Sequence, residues 1–114
     1  MKILVKVGGT LLDEAACRDG LAGQLAALAA QHEIAVVHGG GKQMTRFLEE
    51  RGIQSQFVNG LRVTDEAVID AASKVIAGSV NKQLVAALHK AGQRAVGLSG
   101  IDGHLTIAEQ WHAD

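Results

Sequence analysis

The sequence predicts an α/β fold with an open, mainly parallel sheet, and two features carry this prediction. Two short apolar runs, residues 3–5 and 34–37, are typical of buried strands. A glycine-rich turn follows each run directly: Gly8-Gly9 in the first case, Gly39-Gly40-Gly41 in the second. Helically spaced apolar residues come next in both places. Two such βα units in succession predict a parallel sheet.

Composition limits the chain to one domain and excludes two classes of partner. The 114 residues, 47% of them hydrophobic, are enough for a single domain with its own core. The 11 Lys and Arg against 12 Asp and Glu leave a net charge of −1, which does not favour nucleic acid or an acidic membrane surface. Aromatic residues make up only 3%, which argues against stacking on nucleobases.

The single cysteine and the N-terminus indicate the compartment. Cys17 cannot form an internal disulfide and is typical of a structural thiol in a reducing environment. The apolar run at residues 3–5 is too short for a signal peptide, and no run approaches the roughly 18 apolar residues of a membrane span. We therefore expect a cytoplasmic protein.

The first half of the chain predicts two helices. Asp13 is the expected N-cap of a helix that runs to about Gln31. One face of that helix carries three leucines at helical spacing: Leu21, Leu25 and Leu28. A second helix is predicted over residues 42–51, with Gly52 in a left-handed C-terminal cap.

A hairpin and a long helix follow. Residues 53–63 predict a β-hairpin, because Asn59-Gly60 is the dipeptide most typical of its tight turn. Thr64 is the expected N-cap of a helix that continues to Gly92, and Gly78 is a point where it bends or where another backbone approaches. The apolar stripe of this helix either packs entirely within the domain or contributes to a homodimer interface.

The last part predicts two further strands. Residues 94–98 have the composition of a third parallel strand, which leads into a flexible turn over residues 97–103. A final strand is predicted over residues 105–108. The tail, residues 109–114, stops without a terminating helix.

The two glycine turns predict a site for anionic groups. Several backbone N–H groups converge on a phosphate or carboxylate only where no Cβ blocks the approach, and glycine meets that need. The alternative is that the glycines only make tight turns. Since both turns follow strands of one parallel sheet, they are expected at the edge where α/β proteins bind ligands.

Two cations lie beside these turns in the sequence. Lys6 is on the first strand, and because lysine is seldom buried without a partner, we expect its ammonium to meet a phosphate. Arg62 follows the hairpin turn and is either a clamp for a carboxylate or a solvated hairpin residue.

Two further polar residues have simpler interpretations. His38 precedes the second glycine turn, and we expect it to hold the loop by hydrogen bonds rather than to act as a general base. Asp102 is explained by turn chemistry without any ligand. The remaining histidines show no ligand spacing with cysteine or carboxylates, so no protein-bound metal site is expected: His32, His89, His104 and His112. Neither glycine turn matches the P-loop or the G-x-G-x-x-G fingerprint.

Four segments together resemble the amino acid kinase family, and within it the members that act on N-acetyl-L-glutamate. The segments are residues 6–9, 37–42, 59–64 and 97–103, and the string Asn-Gly-Leu-Arg-Val-Thr at residues 59–64 is the most discriminating. Their order and spacing cover most of this chain.

The resemblance implies a three-layer αβα sandwich with a mainly parallel open sheet, of which this chain holds only the N-terminal part. Residues 1–114 would form an incomplete amino-acid-substrate-binding domain, with the ATP-binding domain outside them. The implied activity is phosphorylation of the side-chain carboxylate of N-acetyl-L-glutamate by ATP with Mg²⁺, in arginine biosynthesis. We expect no appreciable turnover by this chain alone.

The resemblance also implies residue roles. Lys6 would be catalytic, neutralising charge on the moving phosphoryl group. The N–H groups of Gly8 and Gly9 would cradle phosphate oxygens. Three residues would hold the substrate: Gly40 and Gly41 through their N–H groups, and Arg62 through the α-carboxylate.

Three alternatives stay open. The nearest is a kinase of the same family that acts on carrier-protein-linked aminoadipate or glutamate in lysine biosynthesis. The second is a binding module that senses an N-acylated amino acid without catalysis. The third is an α/β domain whose glycines only make turns.

Overall fold

A computed structural model describes residues 1–112 and contains one parallel strand pair, one hairpin and a set of packed helices. The strands are β1 (Lys2–Val7), β2 (Glu33–His38), β3 (Phe57–Val58) and β4 (Leu61–Arg62). The α-helices are α1 (Gly9–Asp13), α2 (Ala15–Ala29), α3 (Gly41–Glu49), α4 (Glu66–Lys74) and α5 (Asn81–Lys90). A π-helical turn, Val75–Val80, joins α4 to α5, and a 3₁₀ turn spans Asp102–His104.

The sheet confirms the two predicted βα units. β1 and β2 pair in parallel, with Lys2 opposite Glu33 and Val7 opposite His38. Their side chains alternate between two faces, as period-2 geometry requires. The face with Val7 packs on the helices, whereas the opposite face leaves Leu4 69% and Val37 53% exposed. Among residues 1–112, one helical layer therefore covers one face of the sheet.

The helix predicted from Asp13 to about Gln31 begins differently in the structure. α1 begins at Gly9 and ends at Asp13, and α2 begins at Ala15 after an extended Glu14 with φ −104° and ψ 135°. Asp13 is therefore not an N-cap: its carboxylate accepts hydrogen bonds from Arg46 at 2.6 and 3.2 Å. Leu25 is buried on α2, but Leu28 is exposed.

The middle of the chain follows the sequence closely. Gly52 has φ +73° after α3, as expected of a left-handed cap. Asn59 and Gly60 have φ values of +51° and +76°, which is the type I′ turn that matches strand twist. The paired strands of the hairpin are shorter than predicted, two residues on each side.

The helix predicted after Thr64 has a different N-cap and contains a π turn. Asp65, not Thr64, is the N-cap, because its carboxylate accepts the N–H of Val68 at 2.9 Å. Thr64 instead donates to the carbonyl of Arg62 at 3.0 Å. The π turn contains Gly78, where the sequence predicted a bend or a close approach, and α5 ends before Gly92 with φ +84°.

The apolar stripe of this helix packs within the chain along its length. Its buried members are Val68, Ala71, Val75, Val80, Leu84, Ala87 and Leu88, and all belong to the single hydrophobic core. Ile69, 56% exposed, is the large apolar residue that stays outside. The stripe's length therefore does not itself require a partner, and the homodimer remains a prediction.

The two strands expected near the end are wrong for the described residues. Residues 94–98 form no regular secondary structure and pair with no strand within residues 1–112. Side chains of α5 contact the backbone carbonyls of this segment instead. The ring of His89 lies 3.1 Å from the carbonyl oxygen of Ala95, and the ammonium of Lys82 donates to the carbonyl of Gly97 at 3.0 Å. Residues 105–108 likewise form no strand, and residues 109–112 of the tail are irregular. Residues 113–114 lie outside the described part.

In the same described part, no helix has both the length and the apolar character needed to cross a bilayer.

Candidate functional site

The two glycine turns lie against each other at the carboxyl ends of β1 and β2. The N–H of Gly39 donates to the carbonyl of Val7 at 3.1 Å, which extends the sheet ladder by one bond. Beyond it, a Cβ built on Gly9 would lie 2.8 Å from the nitrogen of Gly40 and 2.9 Å from its Cα. Only glycine permits this approach.

The second glycine turn leads into helix α3, and the N–H of Gly40 in this turn is a free hydrogen-bond donor among residues 1–112. Gly40 precedes the helix with φ 170°, and its carbonyl accepts the N–H of Met44 at 2.9 Å. Among residues 1–112, neither backbone nor side-chain acceptors are found for the N–H of Gly40. With the first N–H groups of α3, it provides donors that an anion can accept from.

Gln43 fixes the first turn from inside. Its side chain is buried, and Nε2 donates to the carbonyl of Gly9 at 2.7 Å. The Oε1 atom of the same amide is buried without a hydrogen-bond partner among the described residues. The contact ties α3 to the first glycine turn, so the two turns are held as one unit.

His38 holds the second turn, as the sequence predicted. Its Nδ1 lies 2.8 Å from the carbonyl oxygen of Gly39, and its Nε2 lies 3.0 Å from Nδ2 of Asn81. Asn81 is 7% exposed at the start of α5, and its Oδ1 accepts from the ammonium of Lys82 at 3.0 Å. The imidazole is therefore engaged on both nitrogens within the fold.

The π turn lies behind the second glycine turn. A Cβ on Gly40 would lie 3.1 Å from Cγ1 of Ile76 and 3.5 Å from Cγ2 of Val80. Such π segments are rare and are often found at functional sites. Here the apolar side chains of the turn back the glycine loop.

Arg62 reaches the start of α3 from the hairpin. Its Nη2 lies 2.8 Å from Oγ1 of Thr45 and 3.4 Å from the carbonyl oxygen of Gly41, and its Nη1 donates to Oγ of Ser55. The guanidinium also stacks over the ring of Phe57 at 4.7 Å. Of the five guanidinium N–H donors, these contacts use three and leave two for a ligand.

Lys6 lies on the exposed face of the sheet, opposite Val37 in the register. No carboxylate within residues 1–112 forms an ion pair with its ammonium. It is two residues before Gly8, so it adjoins the first glycine turn along the chain. Its side chain is thus solvated beside the turn.

The third glycine-rich segment connects to the same region through Lys82. Its ammonium donates to the carbonyl of Gly97 and to Asn81, both at 3.0 Å. Asp102 accepts the N–H of Ser99 at 2.7 Å and its hydroxyl at 3.1 Å. These bonds lower the pKa of Asp102, with the backbone contribution the larger, and confirm its interpretation as a turn residue.

A charged cluster braces the first helices. Asp13 binds Arg46, and Lys42 lies 3.8 Å from the same carboxylate. The hydrogen bond from Arg46 lowers the pKa of Asp13 and raises that of Arg46. No group of three or more His, Cys, Asp or Glu side chains lies together as metal ligands within residues 1–112.

Two residues that shape this site, Gln43 and Asn81, are not among the candidates predicted from the sequence. Both carry a side-chain amide and lie on predicted helices. A signal was available, because Gln43 is four residues from Phe47, and Asn81 is at helical spacing from Leu84 and Leu88. A polar residue on an apolar stripe is buried with a partner.

Residues 1–113 match the model of the amino acid kinase family. The chain is 67% identical over 111 residues to acetylglutamate kinase of Solibacter usitatus, covering 96% of this chain and 43% of the relative. It is 51% identical over 104 residues to acetylglutamate kinase of Acidobacterium capsulatum, covering 90% of this chain and 40% of the relative. The chain thus spans less than half the length of these relatives.

A solved structure has a similar backbone. The N-acetylglutamate synthase of Neisseria gonorrhoeae, complexed with coenzyme A and L-arginine, superposes with a TM-score of 0.67 and 28% sequence identity. The match covers 76% of this chain and 20% of that one.

Proposed function

Because this chain belongs to the amino acid kinase family, we propose that it is the amino-acid-binding part of an acetylglutamate kinase. In this proposal the whole protein transfers the γ-phosphoryl group of ATP to the side-chain carboxylate of N-acetyl-L-glutamate, in arginine biosynthesis in the cytoplasm. The chain spans 43% of the length of the relative from Solibacter usitatus, so turnover is proposed for the whole protein and only substrate binding for these 114 residues.

The observation that carries the proposal is the position of Arg62 beside the second glycine turn. Its Nη2 lies 3.4 Å from the carbonyl oxygen of Gly41, and Thr45 and Ser55 hold the rest of the guanidinium. A guanidinium held in this way has two donors left, Nε–H and one N–H of Nη1, and each can donate a charge-assisted hydrogen bond to a carboxylate oxygen. The α-carboxylate of N-acetyl-L-glutamate is the group it would hold.

The glycine turns fit the phosphoryl end of the reaction. The N–H of Gly40 has no acceptor among residues 1–112, and a Cβ on Gly9 would fill the space beside it. In the proposed reaction a carboxylate oxygen forms a bond to the γ-phosphorus, the bond to the bridging oxygen breaks, and ADP leaves. The N–H groups of Gly8, Gly9, Gly40 and Gly41 would stabilise the phosphoryl oxygens, and Lys6 would neutralise their charge.

ATP would bring the magnesium ion. At kinase sites such an ion is bound largely through the phosphates of the nucleotide. When bound, it would neutralise charge on the β- and γ-phosphates.

We propose that the protein forms a homodimer through the helical segment of residues 64–92. Its support is Ile69, which is exposed on α4 among apolar neighbours that are buried. Sedimentation equilibrium on the chain tests this, and the variant Ile69→Lys should move a dimer towards monomer. A monomer at concentrations of tens of micromolar would contradict it.

Calorimetric titration with N-acetyl-L-glutamate tests substrate binding. We expect saturable binding by the chain and its loss in Arg62→Ala. The matched control is Arg51→Ala, because Arg51 stacks over Phe47 at 3.5 Å as Arg62 stacks over Phe57, but at the far end of α3. We expect the control to bind like the unmodified chain.

Titration with L-glutamate, which lacks the acetyl group, tests the substrate class in the same experiment. Equal affinity for both compounds would contradict recognition of an N-acetylated amino acid. No binding by the folded chain together with no phosphorylation by the whole protein would overturn the proposal.

A further inference from the structure

A chain of hydrogen bonds connects α5 to the second glycine turn. It runs from the ammonium of Lys82 to Oδ1 of Asn81, from Nδ2 of Asn81 to Nε2 of His38, and from Nδ1 of His38 to the carbonyl of Gly39. The three distances are 3.0, 3.0 and 2.8 Å. The first and last links join neighbours in the sequence, whereas the link between Asn81 and His38 joins residues 43 positions apart, on α5 and β2.

The donor and acceptor at each link are determined by chemistry. A lysine ammonium can only donate, so the oxygen of the Asn81 amide faces Lys82 and its NH₂ group faces His38. That NH₂ group also only donates, which makes Nε2 of His38 an acceptor without a proton. The ring proton of a neutral His38 is therefore on Nδ1 and is donated to the carbonyl of Gly39.

This tautomer determines how the next peptide is oriented. The described chain contains no cis peptide bonds, so the C=O and N–H of the Gly39–Gly40 peptide point in opposite directions. With the carbonyl of Gly39 held on the His38 ring, the N–H of Gly40 is directed away from it. This N–H has no acceptor within residues 1–112, and a Cβ on Gly9 would lie 2.8 Å from its nitrogen.

We propose that Asn81 is a positioning residue for the glycine loop: it selects the Nδ1–H tautomer of His38 and thereby orients the N–H of Gly40 towards the ligand. The proposal deepens the proposed function, because the ligand is the substrate of that site. Asn81 is suited to this role because it is buried and its amide is engaged at both ends. It does not touch the ligand.

Nitrogen NMR of the ¹⁵N-labelled chain at about pH 8, where ordinary imidazoles are neutral, tests the tautomer directly. We expect His38 to show a protonated Nδ1 and an unprotonated Nε2. In Asn81→Asp, position 81 presents a carboxylate that only accepts, so Nε2 of His38 should become protonated and the amide signal of Gly40 should shift. His38→Gln identifies the histidine signals.

Gln83→Ala is the matched control, since it removes an exposed amide from the same helix and contacts Arg18 rather than His38. It should leave both signals unchanged. A protonated Nε2 in the unmodified chain would overturn the proposal, and this measurement decides even if Asn81→Asp fails to fold. An unprotonated Nε2 in a folded Asn81→Asp, or an unchanged Gly40 amide, would overturn it as well.

Substrate binding is measured in a separate titration. We expect the Kd for N-acetyl-L-glutamate to rise roughly three- to tenfold in Asn81→Asp, the effect of losing one oriented hydrogen bond. An altered tautomer with an unchanged Kd would overturn the positioning role. Absence of binding by the unmodified chain would count against the proposed function instead, and the nitrogen signals would still decide the role of Asn81.

Discussion

Gly9 and Gly40 contact each other backbone to backbone, at the point where the two parallel strands end. The position of a Cβ on Gly9 falls 2.8 Å from the nitrogen of Gly40 and 3.0 Å from Oε1 of Gln43. A side chain there would meet backbone on one side and a buried amide on the other. The contact makes the two glycine turns one structural unit.

Gly9→Ala should destabilise the chain, because the added methyl group cannot be accommodated without moving the backbone of Gly40. The expected loss is about 1 to 3 kcal/mol in the free energy of unfolding, typical of overpacking. Chemical denaturation measures it. Affinity for N-acetyl-L-glutamate should fall in parallel, and an unchanged denaturation midpoint would contradict the close contact.

Gly23→Ala should have the opposite sign. Gly23 is exposed within α2, and a Cβ there has nothing within 4 Å. Replacing glycine by alanine in a helix interior favours the helix, so we expect a gain of about 0.5 to 1 kcal/mol. Denaturation of this variant beside Gly9→Ala separates steric conflict from any general effect of the substitution.

Gly60→Ala should weaken substrate binding by disturbing the hairpin that carries Arg62. Gly60 has φ +76°, where an L-residue is strained by roughly 1 to 2 kcal/mol. Gly92→Ala introduces the same strain at φ +84° but away from the site. We therefore expect similar losses of stability and a raised Kd for Gly60→Ala alone; equal effects on Kd would refute the link to Arg62.

The ion pair between Asp13 and Arg46 should make stability depend on pH. The hydrogen bond from Arg46 holds the pKa of Asp13 below its ordinary value of 3.8, so this carboxylate stabilises the fold above that pH. The contribution is lost as pH falls through the lowered pKa. Asp13→Asn should therefore be less stable than the unmodified chain at pH 7, with the difference closing in acid below pH 3.8.

Denaturation midpoints across that range measure the effect. Asp70→Asn is the control, because Asp70 pairs with Lys74 one helical turn away on an exposed surface, where ion pairs contribute little. A difference between Asp13→Asn and the unmodified chain that stays constant below pH 3.8 would exclude this explanation.

The sequence predicted the elements whose local chemistry determines them. The apolar runs before Gly8 and Gly39 became the paired strands, and Asn59-Gly60 made the hairpin turn, because these signals depend only on neighbouring residues. Residues 94–98 form no strand, since a ladder needs a partner that local composition does not specify.

The candidate site was predicted in part. The glycine turns could be predicted because glycine runs after apolar strands mark turns in which backbone N–H groups, rather than side chains, can bind a ligand. Arg62 could be predicted because it follows the recognisable turn Asn59-Gly60. The face on which Lys6 lies follows from strand pairing, and the amide contacts of Gln43 and Asn81 follow from helix packing. The two amide contacts join residues 34 and 43 positions apart, and no local sequence pattern marks them.

The π turn accommodates one extra residue between α4 and α5. A π turn contains one residue more than an α-helix would need there, and the N–H of Asn81 accordingly reaches back five residues to the carbonyl of Ile76. Deleting Gly78 would let α4 and α5 join as one uninterrupted α-helix, with the N–H of Asn81 still one turn beyond the carbonyl of Ile76 but only four residues from it. Asn81 would therefore still face His38, whereas deleting a residue from the α-helical part of α4 would turn everything after it by about 100°. The π turn is thus the place in this helical segment where the number of residues can change with the least effect on the orientation of α5.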